Sequence, residues 1–163
     1  MRHEITMTVN GEVLDLGVVP ADVLLDVLRD GLGVKSPKIG CERGDCGSCT
    51  VILDGRTVRS CLVLAIEVDG GEVTTVEGLQ HEGLAALEGM LVSHSSFQCG
   101  FCAPGIVLAA AELLDHTPHP TRHDVQEAIS GNLCRCTGYE PIITAVLAAA
   151  DTPHPAPSEE PRS

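Results

Sequence analysis

The sequence predicts an α+β fold, in which a small mixed sheet with one helix is followed by an all-helical half. Between residues 3 and 76, short segments alternate apolar and polar side chains and are joined by tight-turn dipeptides, as strands in hairpins are. From residue 82 to residue 150, apolar side chains recur at the three- and four-residue spacing of helices. These observations predict two units, residues 1–78 and 79–150, and a tail at 151–163.

The first unit is predicted to begin with a hairpin and a helix. His3–Asn10 and Glu12–Leu16 alternate on either side of an Asn-Gly pair, which strongly favours a type I′ turn. Ala21–Leu32 then has helical periodicity, with an early aspartate and a late arginine that suit the helix dipole. Gly31 or Gly33 is predicted to end this helix, because glycine tolerates the left-handed conformation common at helix ends.

The rest of the first unit is predicted to be strands. Thr50–Leu53 and Arg56–Arg59 flank an Asp-Gly pair and form a second hairpin signal. Val73–Val76 has the composition of one more strand. Glycines in residues 69–81 indicate a linker to the second unit.

The second unit is predicted to be a compact bundle of short helices with short connections. The four predicted helices are Glu82–Val92, Gly105–Leu114, Thr121–Ile129 and Pro141–Ala150. Thr121 and Asp124 form an approximate capping box at the start of the third. The proline-rich, charged tail from Asp151 onward is predicted to be disordered.

Charge and hydropathy exclude several classes of partner and location. The net charge of -13 argues against nucleic acid and anionic membrane surfaces as partners. The first residues lack the apolar core of a signal peptide, and the longest apolar run, Ile106–Ala111, is too short to insert into a membrane. A cytoplasmic location is therefore expected, and there closely spaced cysteines are more often metal ligands than disulfides.

Eight cysteines fall into two quartets with none left over. The first quartet has the spacing C-x4-C-x2-C-x11-C and consists of Cys41, Cys46, Cys49 and Cys61. This order is the plant-type arrangement for a [2Fe–2S] cluster, whereas zinc ribbons generally pair two short C-x2-4-C knuckles. A four-iron cluster is disfavoured because no C-x2-C-x2-C run exists, and Rieske ligation because no histidine lies within the spacings.

The loop that carries the first three cysteines is rich in glycine. Gly40, Gly44 and Gly47 allow the backbone to fold tightly around a cluster and to turn N–H groups toward its sulfurs. Such hydrogen bonds stabilise the reduced cluster and raise its potential. Arg43, in the same loop, is a candidate for tuning the potential or contacting a partner.

The second quartet has the spacing C-x2-C-x31-C-x-C and consists of Cys99, Cys102, Cys134 and Cys136. By spacing alone it fits either a structural zinc site or an iron–sulfur cluster. Each of its two pairs precedes a proline and an apolar helix, so both pairs are predicted just ahead of helix N-termini. Two converging helix starts would stabilise an anionic four-thiolate cluster and give the bundle near two-fold symmetry.

The sequence contains no machinery for transforming a substrate: no nucleophile triad at supportable spacing, no phosphate loop and no dinucleotide fingerprint. Two one-electron sites without a substrate site indicate an electron-relay subunit of a larger enzyme. Two alternatives stay open at this point. One is a free-standing ferredoxin-type carrier, and the other is a zinc-stapled interaction module.

Three motifs resemble one known family. CERGDCGSC at 41–49, QCGFCAPG at 98–105 and GNLCRCTGY at 131–139 are similar to the small iron–sulfur subunit of the molybdenum hydroxylases. That family includes xanthine dehydrogenase, aldehyde oxidoreductase, carbon monoxide dehydrogenase and the N-heteroaromatic hydroxylases. The resemblance covers about Ile5 to Ala150 and includes every cysteine of both quartets.

The resemblance implies a fold and a cofactor for each unit. The first would be a β-grasp, plant-type ferredoxin-like domain, and the second the four-helix bundle of this family, each holding one [2Fe–2S] cluster. Gln98 matches a glutamine that contacts the molybdopterin cofactor, and Cys136 matches a ligand close to the pterin.

The resemblance also implies partners. Electrons would pass singly from molybdenum on a large subunit through the second quartet, then the first quartet, to FAD on a medium subunit. The assembly would be a dimer of such heterotrimers. Its substrate would be an aldehyde, an N-heteroaromatic compound or carbon monoxide, oxidised with oxygen taken from water.

Overall fold

A computed structural model describes residues 1–79 and 84–152, with a five-stranded mixed sheet and five helices. The strands are β1 His3–Val9, β2 Glu12–Val18, β3 Thr50–Leu53, β4 Arg56–Arg59 and β5 Glu72–Thr74. Their order across the sheet is β2-β1-β5-β3-β4. Strand β1 runs antiparallel to β2 and parallel to β5, and β3 runs antiparallel to both of its neighbours.

Both predicted hairpins are confirmed. Asn10 and Gly11 have φ of 53° and 83°, and Asp54 and Gly55 have φ of 49° and 81°. Positive φ at both central residues is the type I′ geometry that suits the right-handed twist of the strands. The Asn-Gly and Asp-Gly dipeptides alone were therefore sufficient to predict the positions of both turns.

The predicted helix Ala21–Leu32 starts too early. The structure has a short α-helix, α1 Leu24–Asp26, which continues as a π-helix over Val27–Gly31. Residues before Leu24 are held by β-type pairing, since Val23 forms an antiparallel bridge with Leu64.

The early aspartate of that prediction has a different structural role. The carboxylate of Asp22 accepts a hydrogen bond from the Val19 N–H at 2.8 Å and closes a turn ahead of the helix. Of the two glycines predicted to end the helix, Gly31 is its last residue and Gly33 takes the left-handed φ of 75°.

The predicted strand Val73–Val76 and linker at residues 69–81 also need correction. Strand β5 ends at Thr74, and Val76–Gly78 forms a 3-10 turn. The start of the supposed linker belongs to the sheet, because the Thr6 N–H donates to Asp69 Oδ1 at 2.9 Å. Residues 80–83, which include the predicted start of the next helix, lie outside the described residues.

The sheet, α1 and the π-helical turn enclose one apolar core. Together with the loops that connect them, they are called the sheet unit below. Its buried side chains come from strands β1, β2, β3 and β5, from both helical turns and from the 3-10 turn Ala65–Val68. They are Ile5, Met7, Val9, Val18, Leu24, Leu28, Val51, Ala65, Val68 and Val73. An entirely aliphatic core of this size is consistent with the scarcity of aromatic residues in the sequence.

The remaining helices are α2 Leu84–Ser93, α3 Ala103–His116, α4 Arg122–Ile129 and α5 Glu140–Ala150. These helices and the loops between them are called the helical unit below. They share a second core: Leu87, Leu91, Cys102, Ile106, Val107, Ala110, Val125, Ile129, Ile142, Ile143, Ala145, Val146 and Ala149. Helix α2 packs mainly on α5, and α3 on α4. No helix in the described ranges is long and apolar enough to cross a bilayer.

Two sequence signals at helix starts are confirmed. Thr121 caps α4 and exchanges hydrogen bonds with Asp124 in a full capping box. A proline lies in the first turn of α3 and of α5, as predicted from Pro104 and Pro141. The tail predicted to be disordered begins at Asp151, but the N–H groups of Asp151 and Thr152 donate to the Leu147 and Ala149 carbonyls of α5 at 3.2 and 3.1 Å. Residues 153–163 of the predicted tail lie outside the described residues.

The Glu77 carboxylate holds the segment that leads into the first cysteine loop. It accepts from the N–H groups of Lys35 and Ser36 at 3.1 and 2.8 Å, from the Ser36 hydroxyl, and from the Thr75 hydroxyl at 2.7 Å. Burial alone would raise the pKa of Glu77, but these donors lower it to about 2. The Glu77 carboxylate therefore makes its full contribution to the free energy of unfolding above the ordinary carboxylate pKa near 4.5, and this contribution is lost as the pH falls toward 2.

Glu77→Gln is expected to lower the free energy of unfolding at pH 7 by about 1 kcal/mol, because hydrogen bonds to a charged acceptor are replaced by weaker ones. The difference between the variant and the wild type should shrink on acidification below pH 4.5. Denaturant unfolding at several pH values measures both effects. Glu67→Gln, at an exposed carboxylate in the sheet unit, is the matched control. An equal loss in both variants would contradict this role of Glu77.

Candidate metal centres

The sheet unit brings the first quartet together at one edge of the sheet. Cys41 and Cys46 lie in the loop before β3, Cys49 directly precedes β3, and Cys61 lies in the 3-10 turn after β4. Because the β3–β4 hairpin returns the chain, the sulfurs of Cys49 and Cys61 are 3.3 Å apart. The Cys46 side chain hydrogen-bonds to Cys41. The quartet thus consists of two close pairs.

The glycines of this loop are required by its geometry. Gly44 and Gly47 have φ of 83° and 72°, which side chains rarely adopt. A Cβ on Gly40 would lie 2.7 Å from the Cys46 sulfur, and one on Gly44 would lie 2.6 Å from the Leu62 side chain. The loop can therefore approach its own sulfurs only with glycine at these positions.

Backbone N–H groups point at the first sulfur of the loop. The N–H groups of Arg43 and Cys46 each donate to Cys41 Sγ at 3.4 Å, and they lower the pKa of that thiol to about 7. Burial instead raises the pKa of Cys61 to about 11. The Arg43 side chain is exposed and pairs with Asp45 at 3.5 Å, so its backbone, not its guanidinium, contacts the sulfur.

The helical unit brings the second quartet together. Cys102 is the N-cap of α3, and Cys134 and Cys136 lie in the loop before α5. The sulfurs of Cys99 and Cys136 are 3.5 Å apart, and Cys134 hydrogen-bonds to Cys102. Burial raises the pKa of Cys102 to about 12, whereas Cys99 and Cys136 are exposed. One pair is therefore inside the protein and the other at its surface.

Sequence reasoning missed two residues that hold Cys134. The Thr137 hydroxyl donates to Cys134 Sγ at 3.2 Å, and the Cys134 N–H donates to the Tyr139 hydroxyl at 2.8 Å. Burial raises the pKa of Cys134, but the hydrogen bonds from Thr137 outweigh it and lower the pKa. Tyr139 is the N-cap of α5 with a left-handed φ of 66°. The polar residues directly after Cys136 were the available signal.

Gln98 and Cys136, the two residues that the resemblance places near the pterin, contact each other. The Gln98 amide Nε2 donates to the Cys136 carbonyl at 3.1 Å in an exposed position. Between Cys99 and Cys102, Phe101 contacts the sheet unit: the Lys38 ammonium lies 5.5 Å from its ring centroid and 3.4 Å from its carbonyl oxygen. Lys38 was not predicted as a site residue, because its neighbour lies far away in the sequence.

The donor chemistry fits two-iron clusters. Each iron of a [2Fe–2S] cluster takes two protein ligands, and each quartet is divided into two thiol pairs. The two sulfur–sulfur separations of 3.3 and 3.5 Å are close to the roughly 3.7 Å expected for two thiolates bound to one tetrahedral metal about 2.3 Å away. Each cluster, when bound, would carry one electron at a time.

Thr137→Val is expected to lower the reduction potential of the centre at the second quartet. Loss of the hydroxyl donor to Cys134 disfavours the more negative reduced state. We expect a shift on the order of tens of mV, where about 59 mV is a tenfold change for one electron. A potentiometric titration followed by paramagnetic resonance measures the shift. Thr137→Ser keeps the hydroxyl and should stay near the wild-type value. Equal shifts in both variants would contradict the hydrogen-bond explanation.

Two family models match the chain in succession. One is described as "2Fe-2S iron-sulfur cluster binding domain" and matches residues 7–74. The other is described as "[2Fe-2S] binding domain" and matches residues 75–147. Together they contain both cysteine quartets.

Whole-chain comparisons agree with the family models. The chain is 47% identical over 148 residues to the nicotine 6-hydroxylase small subunit of Paenarthrobacter nicotinovorans, covering 91% of this chain and 90% of that protein. It is 41% identical over 162 residues to caffeine dehydrogenase subunit gamma of Pseudomonas sp. strain CBB1, covering 97% of each. In structure it is similar to a chain of quinoline 2-oxidoreductase from Pseudomonas putida 86, with a TM-score of 0.86 and 46% identity. That match covers 91% of this chain and 94% of the other.

Proposed function

This chain belongs to the small [2Fe–2S] subunits of the molybdenum hydroxylases, and on that premise we propose that it relays electrons one at a time from a molybdenum-cofactor subunit to an FAD subunit. As a member it is the electron-transfer subunit of an oxidoreductase, and its cofactors are two [2Fe–2S] clusters. The zinc alternative for the second quartet is therefore wrong.

The eight cysteines are the proposed cluster ligands, two for each iron. In the sheet unit the proposed pairs are Cys41 with Cys46 and Cys49 with Cys61. In the helical unit they are Cys99 with Cys136 and Cys102 with Cys134. The close thiol pairs support this assignment. Gly40, Arg43, Gly44 and Gly47 would shape the first site through the backbone contacts described above.

A single observation carries the relay: the two cysteine loops are joined by a backbone hydrogen bond. The Leu133 N–H donates to the Cys46 carbonyl at 2.8 Å. Leu133 is the residue before Cys134, so the route between the quartets consists of a few covalent bonds and one hydrogen bond. Electron tunnelling is faster through such a route than through a van der Waals gap.

The exposed end of the second quartet is the proposed point of electron entry. Gln98 and Cys136 lie there in contact with each other, in positions that suit a cofactor held by a partner. Electrons would leave from the first quartet, where Cys41 is partly exposed. This direction follows the family resemblance, and the exposure of both ends supports it.

The finer features of the assembly belong to the same proposal. Residues 1–78 would form a β-grasp, plant-type ferredoxin-like domain and residues 79–150 a four-helix bundle. A large molybdopterin subunit and a medium FAD subunit would complete a dimer of heterotrimers. Among aldehydes, carbon monoxide and N-heteroaromatic compounds, we favour the last, because relatives are named for nicotine, caffeine and quinoline.

Purification of the native complex under anaerobic conditions tests the proposal. We expect two larger chains to co-purify and full reduction to give two distinct [2Fe–2S] paramagnetic signals. An N-heteroaromatic substrate should reduce both clusters in the complex, and neither cluster in the isolated chain. A stable, cluster-loaded chain that purifies without larger chains and serves several acceptors would instead establish the free-standing ferredoxin alternative.

A further inference from the structure

A buried polar contact joins the two units beside both cysteine loops. Asn132 of the helical unit has only 2% of its surface exposed. Its amide nitrogen donates to the Gly47 carbonyl at 3.0 Å and to the Thr50 hydroxyl at 3.1 Å, both in the sheet unit. Gly47 and Thr50 flank two residues of the chain that include Cys49, and Asn132 is two residues before Cys134.

A half-buried arginine extends this contact. Arg59 of β4 donates from Nη1 to the Thr50 hydroxyl at 2.8 Å and from Nη2 to the Gly131 carbonyl at 2.8 Å. The Thr50 hydroxyl itself donates to the Gly47 carbonyl at 2.6 Å, so it is both donor and acceptor. We call these residues the inter-unit network: Gly47, Thr50, Arg59, Gly131 and Asn132. Each of its hydrogen bonds between units depends on the separation of the two loops.

Glycines let the two units approach at backbone distance. A Cβ on Gly47 would overlap the Gly131 carbonyl and lie 2.6 Å from the Asn132 amide nitrogen. A Cβ on Gly105 would overlap the Gly47 carbonyl and lie 2.7 Å from the same nitrogen. A Cβ on Gly131 would overlap the Arg59 guanidinium. Gly47 and Gly105 therefore leave no space for a side chain beside the Asn132 amide nitrogen, and Gly131 leaves none beside the Arg59 guanidinium.

The two polar atoms of the Asn132 side-chain amide differ in their contacts, since the nitrogen donates the two hydrogen bonds described above. Among the described residues, Oδ1 is buried without a hydrogen-bond partner. A buried acceptor left unpaired is destabilising. An amide at this position is therefore explained by its two donated hydrogen bonds rather than by local packing.

We propose that Asn132 is a positioning residue that fixes the separation and orientation of the two clusters by holding the Gly47–Thr50 turn against the loop of Cys134. This inference rests on the proposed electron relay. Asn132 touches no proposed ligand, and it acts through the backbone on both loops. Because tunnelling rates fall exponentially with distance, a fixed contact of this kind keeps transfer between the clusters uniform from molecule to molecule.

The test compares Asn132→Asp with the wild-type full chain loaded with both clusters. Aspartate has the same shape, but it places a second oxygen against the carbonyl of Gly47 and removes both donors. Magnetic interaction between two reduced clusters falls with the cube of their separation and splits their paramagnetic signals. We expect loss of this splitting, with unchanged iron content and unchanged g-values for each cluster.

The control is a contact that also joins the units, away from the cysteine loops. Glu112 of α3 accepts from the Thr57 N–H at 3.2 Å and from the Thr57 hydroxyl at 2.5 Å. Glu112→Ala should retain the splitting. If Glu112→Ala loses it to the same extent, or if Asn132→Asp retains it, the proposal is wrong.

A second pair of variants decides the question if Asn132→Asp does not bind both clusters. Thr50→Val removes the hydroxyl that contacts Asn132 and Arg59, and Thr50→Ser keeps it. We expect splitting only in the serine variant, and equal splitting in both would overturn the proposal. Failure of the proposed function is recognised separately, because the wild-type chain would then show no splitting or would not co-purify with larger chains.

Discussion

Replacement of Gly47 by alanine is expected to separate the two units and to distort the first cysteine loop. Gly47 has φ of 72°, and a Cβ there would overlap the Gly131 carbonyl. A strained left-handed residue and an overpacked contact each cost about 1–3 kcal/mol, so a loss of about 3 kcal/mol or more in unfolding free energy is expected. Denaturant unfolding measures the loss. Absorbance of the first cluster should fall in the same variant.

Gly55→Ala separates the two causes of this effect. Gly55 has a similar φ of 81° in the β3–β4 turn, but a Cβ there meets nothing within 4 Å. The free energy of unfolding of this variant should fall only by the cost of a left-handed backbone at a residue with a side chain, about 1 kcal/mol. If Gly55→Ala and Gly47→Ala lose equal stability, the close approach of the two units at Gly47 contributes nothing, and the interpretation of the inter-unit network is wrong.

The features that the sequence predicted best are local. The two hairpins depend on dipeptides whose backbone preference is nearly independent of context, and the capping box of Thr121 depends on residues three apart. The first cysteine loop is also local, because its glycines and three of its cysteines lie within ten residues. Patterns that depend on neighbouring residues in this way can be recognised in the sequence before the fold is known.

The features that the sequence did not predict depend on distant contacts. The helix predicted from Ala21 begins at Leu24 because Val23 pairs with Leu64, which periodicity cannot reveal. Asn132 and Arg59 acquire their role only when the helical unit docks on the sheet unit. By contrast, Thr137 and Tyr139 lie beside predicted ligands, so attention to donors near each cysteine would have found them.

The two units also explain why both quartets lie on one chain. The cysteines of each proposed site come from a single unit. The Cys46 carbonyl in the first cysteine loop accepts a hydrogen bond from Leu133, the residue before Cys134 in the second loop. Because this contact and the inter-unit network lie within one polypeptide, the spacing of the clusters does not depend on an encounter between proteins. A relay needs this constancy more than a free carrier does.

Cys134→Ala is expected to abolish the second cluster and leave the first in place. Cys134 is the partner of the buried Cys102 and receives the hydrogen bond from Thr137, so its loss removes half of the ligands for one iron. We expect the iron content to fall by about half and the helical unit to unfold more easily, because cluster-binding energy stabilises the folded state. Iron analysis and paramagnetic resonance of the reduced chain measure the first effect, and denaturant unfolding the second.

The matched variant Cys61→Ala should give the opposite result, with the first cluster lost and the second retained. Cys61 lies 3.3 Å from Cys49 in the 3-10 turn after β4, so its removal takes a proposed ligand from the first quartet and none from the second. Within the native complex, Cys134→Ala should prevent reduction of the remaining cluster by substrate, whereas Cys61→Ala should still allow reduction of the second cluster. Substrate reduction of the first cluster in Cys134→Ala would contradict the proposed order of electron transfer, since it would require entry at the sheet unit.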